Sequence, residues 1–135
     1  MTRSCDMLPA ATDTAPDHTA RISIATDAGA DLLLSLHADG FYPRPSSKST
    51  VYFYRAESEA LAHCLATSLG DELLSPSPSY RFGSFPIIRY APMLSVWVDI
   101  ASLSDPEEEL FLTSRDGRAK IATALYQGIT QFFRV

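Results

Sequence analysis

Apolar residues fall along the chain in short blocks, and their spacing changes from nearly continuous to helical. Leu32, Leu33, Leu34 and Leu36 form an almost unbroken run within 31–38, the pattern of a buried strand. The run closes on His37, Ala38, Asp39 and Gly40. Val51, Tyr52, Phe53 and Tyr54 are β-branched or aromatic and predict a second strand. Leu94 to Asp99 predicts a third, with Val96 and Val98 on one face and Trp97 on the other. Between these strands, 57–73 reads as an amphipathic helix on Leu61, Cys64, Leu65 and Leu69, which Gly70 either ends or interrupts. Asp105, Pro106, Glu107 and Glu108 mark a helix start. Asp105 is placed to cap, Pro106 suits the first helical position, and Glu108 is placed to complete a capping box. A last helix is predicted over 115–133, with Ile121, Ala122, Leu125, Ile129 and Phe132 as its buried stripe.

The remaining segments are weaker in pattern. Residues 1–19 are rich in Thr, Asp, Pro and Ala and read as loop, partly disordered. Residues 20–30 fit a short strand through Ile22, Ile24 and Ala25, or a helix through Ala20, Ile24, Ala25 and Ala28. Helix is the preferred reading, with Asp17 or Thr19 as cap and Gly29 as stop. Pro43, Pro45 and the serines near them make 42–50 a loop, and 75–84 is a Ser/Pro-rich connection. Residues 86–90 fit a short strand or a turn. There is no internal repeat. Strands alternating with helices imply an α/β layered domain over 20–135.

Composition narrows the picture. The 135 residues suit one domain, and 46% hydrophobic with 20% charged residues is ordinary for a globular protein. A net charge of -5 argues against unaided binding to nucleic acid or to an anionic membrane. Cys5 and Cys64 show no metal-ribbon spacing and no disulfide framework. Cys64 reads as a small core residue, and Cys5 as an exposed one. No stretch is long and apolar enough for a membrane span, and Met1 to His18 contains no apolar run for a secretory signal.

Two segments carry a resemblance. Gly29 to Phe41 reads GADLLLSLHADGF and closely resembles the GADLFISIHAD strand of the zinc-dependent N-acetylmuramoyl-L-alanine amidases. The following 43–53 resembles the family's loop and next strand. Met93 to Glu109 reads MLSVWVDIASLSDPEEE and resembles the family segment MPAVLVELGFLSNPEEE. Met1, Thr2 and Arg3 look like the end of the family's second strand. Two motifs in order at sensible spacing are a fairly specific signal.

The resemblance implies a mixed, mostly parallel sheet flanked by helices, and a bacterial hydrolase of peptidoglycan catabolism. Its reaction separates N-acetylmuramic acid from the L-alanine of the stem peptide. It implies His37 as a zinc ligand and Asp99 at the place of the catalytic glutamate. It also implies peptidoglycan or muropeptides as partners and the cell envelope or periplasm as location, or the cytoplasm for a complete chain without a signal. A catalytic zinc is usually held by three protein ligands. Of the family's three, only His37 is matched, because the Gly-His-Gly-Gly loop and the ligand glutamate have no counterpart here. Asp99 is one methylene shorter than glutamate, which reduces its reach for proton transfer. This chain alone is therefore expected to be weak or inactive, truncated or degenerate. The alternative is a non-catalytic relative that binds peptidoglycan or a partner protein.

Plain structural readings stand beside these. His37 reads also as a strand-end histidine bonded to a loop, and Asp99 as a strand end or turn cap. His63 reads as a helix-flank residue, and His18 as a residue of the polar N-terminal segment. Asp39 and Arg3 read as loop and strand-end residues. Trp97, Tyr52 and Tyr54 either stack on sugar rings or pack between sheet and helices. The family's first strand, which lies inside its sheet, is expected to be missing, leaving unpaired backbone. Three outcomes are open: a fragment of a longer amidase, a rearranged sheet using 21–26 as a strand, or a second copy or partner at the unpaired edge.

Overall fold

The computed structural model describes residues 15–39, 49–73 and 79–134. Helix α1 (Ala15–Asp27) leads into strand β1 (Leu32–Asp39). Strand β2 (Thr50–Phe53) is followed by a single 3₁₀ turn (Ala56–Ser58) and helix α2 (Glu59–Glu72). Strand β3 (Tyr80–Phe82), helix α3 (Pro86–Tyr90) and strand β4 (Leu94–Ser102) come next, then helices α4 (Pro106–Thr113) and α5 (Arg115–Phe132). The sheet order is β1-β4-β2-β3. β1 and β4 are parallel, β2 and β3 are parallel, and β2 and β4 are antiparallel. The sheet is thus mixed and mostly parallel, as expected. Among the described residues β1 has a strand neighbour on one side only.

Alternation along the strands builds two cores. Val51, Val96 and Val98 point to one face, where α2 and α5 cover them with Leu61, Leu65, Leu69, Ile121, Ala124 and Leu125. Leu33 points to the other, against Ala25 of α1 and Ile87, Ile88 and Ala91 in and after α3. The buried serines between the layers are bonded: Ser95 N–H donates to Ser58 Oγ at 3.2 Å, and the Ser95 hydroxyl donates to the Ile88 carbonyl at 3.1 Å. That satisfies polar groups that would otherwise be costly to bury.

Several expectations shift. The first helix starts at Ala15, inside the segment read as loop, so Asp17 and Thr19 lie within it and do not cap it. Asp17 is fully buried and pairs with Arg21 one turn later at 2.7 Å. His18 is buried on the same helix at 6% exposure, not adrift in a polar segment. Residues 21–26 are helical, so the rearranged-sheet outcome that made them a strand is excluded. Gly29 does stop the helix. Its φ is 63°, with Gly29 N–H bonded to the Thr26 carbonyl and Ala30 N–H to the Ala25 carbonyl, both at 3.0 Å. This is a left-handed C-terminal cap that glycine adopts without strain. Gly70 is buried inside α2 and does not end it.

Residues 86–90 form a helix, neither strand nor turn, because Pro86 presets the backbone angle for a first helical position after extended Phe85. β3 lies inside the segment read as plain connection. Asp105 caps α4, accepting from Glu107 N–H and Glu108 N–H. The capping box is not completed, because the Glu108 carboxylate accepts instead from Ser102 N–H at the end of β4. In α5, Ala122 is exposed. One residue past Ile121 it has turned about 100° away, and Ala124 and Gly128 take the buried positions. No helix among the described residues is long and apolar enough to cross a membrane. Arg3, Cys5 and the Met1–Arg3 match lie outside the described residues.

Candidate active site

The parallel pairing of β1 with β4 sets the site. In this register His37 lies directly beside Asp99, and Ser35 beside Trp97. Because side chains alternate along a strand, all four share one face of the sheet. The antiparallel pairing adds Thr50 beside Asp99 and Tyr52 beside Trp97 on that face. The register slips between His37 and Ala38, leaving Ile100 as an extra residue on β4. A bulge of this kind re-aims side chains and recurs next to functional sites. The pair sits near the carboxyl ends of two parallel strands, where ligands bind in open α/β sheets.

His37 is half-buried and held on two sides. The Ser35 hydroxyl lies 2.6 Å from Nε2. The imidazole is stacked on the Trp97 indole, with centroids 3.3 Å apart and planes 3° apart. Trp97 is stacked in turn on Phe85 at 4.3 Å and 13°, and Tyr52 meets Phe85 edge-on at 5.2 Å. Thr50 is buried, and its hydroxyl lies 3.2 Å from the hydroxyl of Ser79.

The structure therefore brings together the two sequence-derived candidates, His37 and Asp99. The other histidines lie on other elements. His63 is exposed on α2, where its ring meets Tyr80, and His18 is on α1. Asp39 ends β1. Trp97 packs between His37 and Phe85, as the packing alternative had it. Ser35 was not singled out in the sequence, although it lies two residues before His37 on a strand and so must share its face. Thr50 and Phe85 carry no comparable signal, since their position depends on pairing and loop path.

Among the described residues no three His, Cys, Asp or Glu side chains are grouped to hold a metal. His37 offers one imidazole and Asp99 a carboxylate beside it, whereas a catalytic zinc is usually held by three protein ligands. The described residues alone do not fit a zinc ion. What they do supply is a carboxylate capable of moving a proton and an imidazole of fixed orientation at one strand end.

Comparison with known proteins bears on the chain as a whole. Residues 1–131 match the family model described as N-acetylmuramoyl-L-alanine amidase. The chain is 26% identical over 103 residues to the probable cell wall amidase LytH of Staphylococcus saprophyticus, covering 76% of this chain and 35% of that protein. It is 28% identical over 118 residues to the N-acetylmuramoyl-L-alanine amidase LytC of Bacillus subtilis, covering 84% of this chain and 24% of LytC. The chain thus spans about a third or less of these curated relatives. Among solved structures, the catalytic domain of CwlV, an N-acetylmuramoyl-L-alanine amidase from Bacillus (Paenibacillus) polymyxa var. colistinus, superposes with a TM-score of 0.78 at 25% identity. That match covers 87% of this chain and 66% of the CwlV domain. By sequence and by fold, the chain belongs to the N-acetylmuramoyl-L-alanine amidase family.

Proposed function

We propose that this chain is the C-terminal part of a peptidoglycan amidase catalytic domain, acting on the amide between N-acetylmuramic acid and L-alanine in the cell envelope. The observation that carries the reading is the register of β1 on β4, which puts His37 and Asp99 side by side at the carboxyl ends of parallel strands. His37 takes the place of one zinc ligand of the family. The family's other two ligands have no matching motif in this chain, so a complete metal site would need them from elsewhere. Asp99 takes the place of the catalytic carboxylate. Its role is to accept a proton from the attacking water and return it to the leaving L-alanine nitrogen. The carbonyl carbon gains the water oxygen, and the carbon–nitrogen bond breaks. General acid–base transfer of this kind is worth roughly 10²–10⁴-fold in rate.

A second reading has its own support. One matched ligand and an aspartate in place of glutamate suit a relative that holds peptidoglycan or a partner protein without cutting. Purified peptidoglycan separates the two. New L-alanine amino ends, released in proportion to protein, support the amidase. Co-sedimentation with peptidoglycan and no new ends supports the binding relative. Neither result would leave the wall-directed reading without support.

A further inference from the structure

We propose that Trp97 is a positioning residue for His37, fixing the plane of its ring while Ser35 fixes its Nε2 end. The inference rests on the reading of His37 as a working residue of the site. Two bonds rotate a histidine side chain, so two constraints are needed to hold it. The indole supplies the first, in face contact at 3.3 Å and 3°. The Ser35 hydroxyl supplies the second, 2.6 Å from Nε2. Neither constraint is loose. Ser35 is itself 6% exposed. Trp97 is backed by Phe85 at 4.3 Å, and Phe85 is braced edge-on by Tyr52.

The chain path that delivers Phe85 also depends on a particular residue. A Cβ at Gly83 would come within 2.8 Å of the Tyr52 ring and 2.9 Å of the Phe85 ring. Glycine there lets the loop after β3 lie close enough to β2 for Phe85 to reach Trp97. Leucine stands at the position of Trp97 in the family segment this stretch resembles, and leucine has no flat face to offer an imidazole. The stack is therefore a feature of this chain's own residues. Its chemical consequence is a single ring plane, with the Nε2 end tied to Ser35. A histidine that must present one nitrogen to a ligand or substrate needs its other nitrogen held by a hydrogen bond.

Side-chain NMR of the ¹⁵N-histidine-labelled protein tests this without reference to activity. In the wild type, the carbon-bound ring protons of His37 are expected upfield of those of His18 and His63. Trp97→Leu should abolish the upfield shift, and Trp97→Phe should keep most of it. Ser35→Ala should move the Nε2 ¹⁵N shift, as its hydroxyl partner is lost, with the upfield proton shift retained, and Ser35→Thr should restore the ¹⁵N shift. Ordinary His37 shifts in the wild type would overturn the proposal even if no variant folds, as would a Trp97→Leu spectrum with His37 unmoved. Where peptidoglycan is cut, Trp97→Leu should lower kcat more than it changes KM, with recovery in Trp97→Phe. A stacked His37 in a protein that neither cuts nor binds peptidoglycan would sink the functional reading and leave the ring geometry standing.

Discussion

At the scale of single residues, close packing decides outcomes that residue type alone would predict with the wrong sign. Gly128 lies mid-helix in α5, where replacing glycine by alanine ordinarily stabilises by about 1 kcal/mol. Here an added Cβ would meet the Leu65 Cα at 2.8 Å and its side chain at 2.9 Å. Gly128→Ala is therefore expected to destabilise by about 1–3 kcal/mol, the usual cost of overpacking, seen as a lower urea midpoint. A midpoint at or above wild type would show that α2 and α5 can separate freely. Asp17 makes a second case. It is fully buried against Arg21, and removing one partner of a buried pair costs about 3–5 kcal/mol. Asp17→Ala should show that loss in the same measurement, and a change below about 1 kcal/mol would mean that the guanidinium is satisfied without it.

Residues also show where sequence reading stops. His37 and Asp99 were legible because each lies in a segment with a family resemblance, and strand alternation then predicts which neighbours share their face. Their side-by-side placement was not legible, because register is a property of two strands and only one is visible in any local pattern. The Trp97 stack depends further on Phe85, delivered by a loop whose path follows from Gly83.

At the scale of elements, strong local signals survived folding and weak ones were decided by tertiary contacts. β1, β2, β4, α2 and α5 formed close to their expected bounds because each carries its own periodicity. β3 was invisible: its three residues are exposed, and it is a strand only because β2 offers an edge for it to pair with. α1 began earlier than expected because polar residues in its first turns are buried by pairing instead of ending the helix. α4 shows a shared duty at one cap. Asp105 bonds its first turn, while Glu108 turns back to Ser102 and ties the helix to the end of β4. Loss of such an N-cap costs about 0.5–2 kcal/mol, so Asp105→Ala should lower stability within that range by chemical denaturation. The same variant should raise amide exchange first at Glu107 and Glu108. Exchange unchanged at those two sites would show that the cap contributes nothing there.

At the scale of the whole molecule, the fold leaves one side of β1 without a strand neighbour among the described residues. Leu36 on that strand is 49% exposed, an apolar side chain at a sheet rim. Edge strands of this kind template pairing with another chain, and a lysine placed on them blunts it. Concentration-dependent association is accordingly expected by sedimentation velocity, and Leu36→Lys should reduce it while leaving the circular dichroism spectrum unchanged. Equal behaviour of the two proteins would argue that β1 is not the contact. The chain matches 66% of the CwlV catalytic domain.

In the proposed reaction Asp99, beside His37, moves the proton in amide hydrolysis. Release of new L-alanine amino ends from purified peptidoglycan, compared for wild type, Asp99→Ala and Asp99→Glu, tests it most directly. A fall of about 10²–10⁴-fold is expected for Asp99→Ala, and a gain over wild type for Asp99→Glu, which restores the family's reach. Release at an equal rate in all three proteins would contradict it.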